Sequence, residues 1–222
     1  LIGVLARADA TVSQLSGLLS GLVERFALHD APLYLVGGSV RDALLGRLGN
    51  DLDFTTPARP EVVYSILEDW AETVWDTGID YGTVSAAYKG QQIEITTFRS
   101  DSYDGDSRNP EVVYGDTLEG DLVRRDFKVN AMAIELRPDG TREFHDPMGG
   151  LQDLADRVLD TPDAPEISFH DDPLRMLRAA RFAAQLEFDV AKRVRGAMTD
   201  MAAEIQRITV ERVQVELNKL IC

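Results

Sequence analysis

The sequence lacks what would tie it to a membrane or to an oxidising compartment. Its single cysteine, Cys222, is the last residue, so no disulfide can form within it and a reducing cytoplasm is the expected setting. No apolar run approaches the roughly 20 residues of a membrane-spanning helix, and no N-terminal stretch combines the charged, apolar and small-residue parts of a signal peptide. Basic charge is scarce too: 23 Lys and Arg stand against 38 Asp and Glu, a net charge of −15. That balance excludes a protein that grips nucleic acid over its whole surface. Any nucleic-acid partner would have to meet a local basic patch, or parts of the protein outside these residues. The start without Met and the stop at Leu220-Ile221-Cys222 within a helical pattern are read as signs of a fragment. With 222 residues and 44% hydrophobic content the chain can hold one good core and part of another.

The most informative stretch is residues 33–54, LYLVGGSVRDALLGRLGNDLDF. Leu33 to Val36 is a short apolar run of β-formers, and it stops at Gly37-Gly38, where a backbone without Cβ can turn tightly and approach a ligand. Ser39 is the expected N-cap of a helix running through Val40, Ala43, Leu44 and Leu45 to Gly46. Such a turn offers N–H groups and the positive end of a helix to an anion, and Arg41 adds a planar cation. Asp51 and Asp53 then lie two apart in a second strand, so they share a face while Leu52 and Phe54 point into the core. Two carboxylates with room for water and phosphate oxygens suit Mg²⁺. A solvated acidic turn would give the same Asp-x-Asp; its place at a strand shortly after a phosphate-binding arginine favours the metal.

Gly37-Gly38-Ser39-Val40-Arg41-Asp42 followed by Asp51-Leu52-Asp53 resembles the signature of polymerase-β-type nucleotidyltransferases, specifically the bacterial CCA-adding enzymes and poly(A) polymerases of class II. Further segments agree in order. Arg124-Arg125-Asp126-Phe127-Lys128-Val129-Asn130-Ala131 resembles the RRDF-x-x-NA motif, and Asp146-Pro147-Met148-Gly149-Gly150 the DP-x-GG segment. Asp171-Asp172-Pro173-Leu174-Arg175 resembles a neck motif that usually begins with Glu, so Asp171 is a departure. Glu211-Arg212 with Glu216-Leu217-Asn218-Lys219 is similar to the next neck motif.

Around these motifs, residues 11–28 carry Leu15, Leu18, Leu19, Leu22, Val23 and Phe26 at helical spacing, as one amphipathic helix packed on the sheet. After Pro60, Val62, Val63, Ile66 and Leu67 form the buried face of another helix. Strands are expected at 72–77, 82–88 and 91–98, with Lys89-Gly90 turning the last two into a hairpin. In the last of these Glu94 shares a face with Gln92 and Thr96, opposite Ile93 and Ile95. Residues 101–121 have the acidic, Gly, Ser and Pro composition of a mobile surface loop. Phe127 is expected to anchor its segment in a core; Met132, Ile134 and Leu136 alternate as a strand; and His145 is given a structural role. From Asp171 the periodicity is helical. Asp172, Arg175, Arg178 and Arg181 recur every three residues as one stripe, seated by Leu174, Leu177 and Ala180. With no acid four residues further along from any of these arginines, the stripe reads as unneutralised cations seeking an anion.

The resemblance implies an α/β (α+β) nucleotidyltransferase head with a mixed sheet, followed by an all-α neck domain. The corresponding divisions are an N-terminal helix over 1–30, the head over 31–160 and the neck over 161–222. It implies transfer of CMP and AMP from CTP and ATP to the tRNA 3′ end without a template, with Mg²⁺ held by Asp51 and Asp53 and with Glu94 as the third carboxylate. Glu94 would orient the 3′-hydroxyl, ligate a metal or accept the proton. Gly37, Gly38, Ser39, Arg41 and Arg125 would position the triphosphate, Asn130 would lie near the sugar, and Arg178 and Arg181 would be further cations. Asp172 and Arg175 could imitate a pairing partner for the base. A poly(A) polymerase, an enzyme adding part of the CCA end, and a non-catalytic RNA-end or nucleotide-binding module are the alternatives. Neither membrane nor DNA is an expected partner.

Overall fold

The computed structural model describes residues 2–100 and 113–221, so Cys222 and the greater part of the expected mobile loop, residues 101–112, lie outside the described residues. By packing, the chain divides into two units: Leu1–Leu122 with Met132–Pro147, and Val123–Ala131 with Met148–Cys222. Neither unit is one continuous stretch.

The first unit opens with two helices, α1 (Ile2–Ser13) and α2 (Ser16–Ala27), where one helix over 11–28 was expected. The break falls at Gln14 and Leu15, whose N–H groups bond three residues back, to Thr11 and Val12, instead of four. The apolar set then divides: α2 buries Leu18, Leu19, Leu22, Val23 and Phe26, while α1 buries Ala8 and Val12. Next come β1 (Leu33–Val36), α3 (Gly37–Leu44), β2 (Asp51–Thr56), α4 (Pro60–Glu68), β3 (Thr73–Trp75), β4 (Thr83–Tyr88) and β5 (Gln91–Thr97). Lys89 and Gly90 both take left-handed φ values, 48° and 76°, as the two-residue turn of a tight β-hairpin requires. After β6 (Arg99–Ser100), the strand β7 (Val113–Tyr114) pairs with it, followed by α5 (Leu118–Val123), β8 (Ala133–Leu136) and β9 (Arg142–His145). The end of the segment expected to be a mobile loop is therefore structured. Asp121 is buried there, accepting hydrogen bonds from the Thr55 hydroxyl at 3.3 Å and the Arg99 N–H at 3.2 Å.

Seven of these strands form one sheet in the order β3-β4-β5-β2-β1-β8-β9. Only β2 and β5 run parallel; the other neighbours are antiparallel. The sheet is mixed, as the resemblance implies.

The second unit holds the short segment 123–131 and α6 (Gly150–Asp156), β10 (Val158–Leu159), α7 (Pro165–Asp171), α8 (Leu174–Leu186), β11 (Asp189–Val190), α9 (Lys192–Asp200) and α10 (Val210–Ile221). It is helical apart from the two-residue parallel ladder of β10 and β11. Phe169, Met176, Val194 and Ala197 make one buried cluster. Phe127 is fully buried and meets Phe182 edge-to-face at 5.9 Å. Helix α8 is seated by Leu174, Met176, Ala179 and Phe182; of the expected trio only Leu174 is buried, Leu177 and Ala180 being half-buried.

At the centre of this unit Asp126 accepts from the Phe127 N–H (2.8 Å), the Asn130 amide (2.9 Å) and the Nε and Nη2 of Arg178 (2.9 and 2.6 Å). Burial alone would push its carboxyl up, but the Arg178 guanidinium, the hydrogen bonds from Asn130 and Arg178 and the charge of Arg175 outweigh it and hold the carboxyl below the ordinary carboxylate range. Its stabilising effect is therefore present at neutral pH and lost as pH falls through the depressed value. Asp126→Ala should lower the unfolding free energy of this unit at the lower end of about 3–5 kcal/mol, because Arg178 keeps part of its surface in water. In urea titrations followed by circular dichroism, the gap between the native chain and the variant should be full at pH 7 and shrink in acid.

Candidate functional site

In the first unit the site is built where β1 runs into α3. Gly37 takes φ +64°, a left-handed value that glycine adopts freely, and the helix starts at once, with Val36 extended at its cap and no side chain capping it. Ser39 is thus not the expected N-cap. It lies inside the helix and is buried, and its hydroxyl accepts from the Asp53 N–H at 2.9 Å and donates to the Asp51 carbonyl at 3.4 Å. The serine fastens the glycine turn to the strand that carries both aspartates. Arg41 is buried, bonds Asp42 Oδ1 through Nε at 2.9 Å, and folds back so that a Cβ on Gly38 would meet its Nη2 at 3.3 Å. Gly38 therefore leaves space for a guanidinium at the N-terminal end of the helix, where the N–H groups also favour an anion.

Along β2 exposure alternates as expected: Asp51 is exposed and Asp53 half-buried, while Leu52 and Phe54 are buried. The parallel partner β5 sets Gln92 beside Asp51 and Glu94 beside Asp53. Neighbours in register share a face of the sheet, so Glu94 joins the aspartate pair across one strand spacing. The buried side of this ladder is Leu52, Phe54, Ile93 and Ile95, each at most 1% exposed. The closeness has an electrostatic signature: loss of hydration, then the charges of Asp53 and of Asp51, raise the Glu94 carboxyl above its ordinary value. Three oxygen-donor groups that repel one another on one face fit a hard divalent cation.

In the second unit the arginine stripe is not unneutralised. Arg178 pairs with Asp126, 52 residues upstream. Arg181 is buried, with its Nε on Glu216 Oε1, its Nη1 on Gln185 Oε1 at 2.9 Å, and its guanidinium 4.1 Å from the centre of the Phe182 ring. Arg175 donates to Ser168 Oγ at 2.8 Å and to the Arg124 carbonyl at 2.7 Å. Asp172 accepts from the N–H of Leu174, the first residue of α8, at 3.2 Å and from Arg212 Nη2 at 3.0 Å. The expectation failed because spacing along one helix reports only partners on that helix, whereas these acids come from distant segments. The Asn130 amide is likewise engaged by Asp126, and Arg125 is half-buried in the same segment. Asp126 and Glu216 had no task assigned from sequence; both lie inside quoted motifs, the only signal that could have found them.

A mixed sheet carrying an acidic trio beside a glycine turn is the architecture of a nucleotidyltransferase head. The chain belongs to the family of the Poly A polymerase head domain, whose sequence profile matches residues 33–160. The profile described as "Probable RNA and SrmB- binding site of polymerase A" matches residues 187–222. Over 196 residues the chain is 42% identical to the CCA-adding enzyme of Lactobacillus helveticus, covering 87% of this chain and 47% of that protein. Among solved structures it resembles the Bacillus stearothermophilus CCA-adding enzyme in complex with CTP (TM-score 0.78, 37% identity, 92% of this chain and 48% of that one). It also resembles the Thermotoga maritima CCA-adding enzyme complexed with tRNA (TM-score 0.75, 29% identity, 94% and 47%). The chain spans about half the length of the curated relatives it matches. Among the described residues no helix is long and apolar enough to cross a membrane.

The raised Glu94 carboxyl has a thermodynamic consequence. A group whose carboxyl is held above its unfolded value stabilises the fold only while protonated, so at neutral pH its ionised form strains the metal-free head. Glu94→Gln should therefore raise the melting temperature of the metal-free protein at pH 7, and the gain should disappear below the ordinary carboxylate range. Thermal melts in EDTA at a series of pH values measure this; a gain independent of pH would show that charge is not its cause.

Proposed function

We propose that this protein transfers CMP and AMP from CTP and ATP to the 3′ end of tRNA, without a nucleic-acid template and with Mg²⁺. The observation that carries this is the β2–β5 register, which aligns Asp51, Asp53 and Glu94 on one face beside the helix that starts at Gly37. The CCA-adding names of its relatives and the CTP, ATP and tRNA complexes among its structural neighbours support the choice of substrate.

In this reading Asp51 and Asp53 hold the metal. Bound Mg²⁺ would supply charge neutralisation for the triphosphate and acidify the attacking hydroxyl. The helix start at Gly37-Gly38, with Arg41 and Arg125, binds and aligns the triphosphate, Ser39 keeps that turn in register with the aspartates, and Asn130 braces the motif near the sugar. The 3′-hydroxyl oxygen of the RNA forms a bond to the α-phosphorus, the bond from that phosphorus to the bridging oxygen of the β-phosphate breaks, and pyrophosphate leaves. The hydroxyl proton passes to a carboxylate of the trio, with Glu94 placed to orient the hydroxyl or to receive the proton. Asp51→Ala or Asp53→Ala should cut nucleotide incorporation by at least about 10²–10³, the scale of removing a group that stabilises developing charge. The assay is the protein with tRNA lacking its 3′ end, Mg²⁺ and each triphosphate separately, with sequencing of the product ends. Runs of A added to any RNA would make it a poly(A) polymerase, and addition of only C or only A a partial enzyme. Near-normal turnover in both folded variants would remove the metal assignment.

The base is selected by Asp172 as acceptor and Arg175 as donor. Cytosine and adenine both present an amino donor beside a ring-nitrogen acceptor, whereas uracil and guanine place a carbonyl where Asp172 needs a donor. Arg178, half-buried on Asp126, and Arg181, buried on Glu216, hold α8 against segment 123–131 and α10. An unmatched buried polar group costs about 1–3 kcal/mol, roughly one to two decades of discrimination per contact. Asp172→Ala and Arg175→Ala should therefore admit UTP and GTP more readily relative to CTP and ATP, while Arg125→Ala lowers use of all four together. kcat/KM for each triphosphate decides it: uniform loss with the native preference order would make the pair a scaffold.

A further inference from the structure

We propose that Glu135, Glu143 and His145 form a second metal site, one for a borderline transition-metal dication of the Zn²⁺, Co²⁺ or Ni²⁺ type, at the β8–β9 edge of the sheet. Their ligand atoms, one carboxylate oxygen from each glutamate and one ring nitrogen from the histidine, all lie within 4.8 Å of one another. Strand pairing builds the group: Glu135 stands directly opposite Glu143, and His145 follows Glu143 by two residues and so shares its face.

The histidine supplies an observation independent of the acids. Its Nε2 is closed off from solvent and has no hydrogen-bond partner, although Glu135 Oε2 lies 3.8 Å away. A polar nitrogen shielded from water without a partner is costly, and an ion ligated by Nε2 would remove that cost. The ring is held for this by an edge-on contact with Tyr34 at 5.9 Å. Both carboxylates already hold a cation: Arg137 Nη2 bonds Glu135 Oε2 at 2.7 Å and also bonds Glu143. That side chain is 41% exposed, so it can swing into water when an ion takes its place. One imidazole with two carboxylates suits borderline metals, whereas the all-oxygen donors of Asp51, Asp53 and Glu94 suit Mg²⁺.

The two sites share one face of the sheet without sharing an ion. Tyr34 pairs with Thr55, which sets Val36 across from Asp53; Val36 pairs with Ala133, and Ala133 with His145. His145 is thus three strand spacings, about 14 Å, from Asp53 in the same row. Since β9 is the outer strand, an ion joining Glu135 of β8 to Glu143 and His145 of β9 would fasten the sheet edge.

The test is Co²⁺ titration of the chain carrying Asp51→Ala and Asp53→Ala, followed by visible absorption and by thermal melting. One Co²⁺ should bind with an absorption band that reports nitrogen ligation, and should raise the melting temperature. His145→Ala should weaken binding by more than about ten-fold, beyond the lower bound for loss of a residue that merely supports a ligand, and should abolish the thermal gain. Glu143→Gln, at an exposed position that leaves the strand intact, should weaken it too. Arg137→Met should tighten binding by removing the competing cation. Absence of binding, or binding indifferent to both His145→Ala and Glu143→Gln, overturns the proposal.

Discussion

The parallel pairing of β2 with β5 is the constraint on which the head depends. It is the one parallel contact in the seven-stranded sheet, and its register brings Glu94 beside Asp53 and so collects three like charges on one face. That arrangement opposes itself electrostatically, as the raised Glu94 carboxyl records. It persists because the reverse face of the same residues is fully buried: Leu52, Phe54, Ile93 and Ile95 each contribute about 1.5–3 kcal/mol, against a repulsion on the order of 1 kcal/mol per close pair of well-solvated charges. The hydrophobic side of the ladder holds the acidic side in an unfavourable pattern that a cation can relieve. Ser39 adds a polar fastening to the same strand through the Asp51 carbonyl and the Asp53 N–H, so the glycine turn and the carboxylates keep one geometry.

The second unit uses the opposite device. Its buried charges are matched inside the protein, with Asp126 on Arg178 and Glu216 on Arg181. Lys128 and Arg193 meet likewise on Asp160. Each pair joins segments far apart in sequence, and a mismatched partner would leave a buried charge uncompensated, a strongly destabilising state. These pairs therefore fix which face of α8 meets segment 123–131 and which meets α10. The RRDF segment owes its placement to this unit through Asp126 and Phe127, although it lies between strand-bearing parts of the chain.

Much of the head was legible in the sequence. The apolar run of β-formers over Leu33–Val36, the alternation over Asp51–Phe54, the Gly37-Gly38 turn and the Lys89-Gly90 hairpin rest on local rules: strand propensity and side-chain period, and the φ values only glycine-rich turns supply readily. The partnership of Glu94 with the aspartates was not legible from those rules. It depends on a parallel register between strands that are separated by α4, β3 and β4, and only the family resemblance pointed to it.

Short-range periodicity in the residues sets the individual elements, and the ordered motifs mark the family. Which side chains become partners follows from long-range packing. Ser39 reads locally as a helix cap and serves as a bridge to β2. Leu15 reads as part of one helix and sits at a break between two. Arg178 and Arg181 read as bare cations because their acids lie on other segments. Local conformational preference is set by each residue and its near neighbours, whereas ion pairs and strand register are set by which distant surfaces pack together, and that is the property of the folded chain.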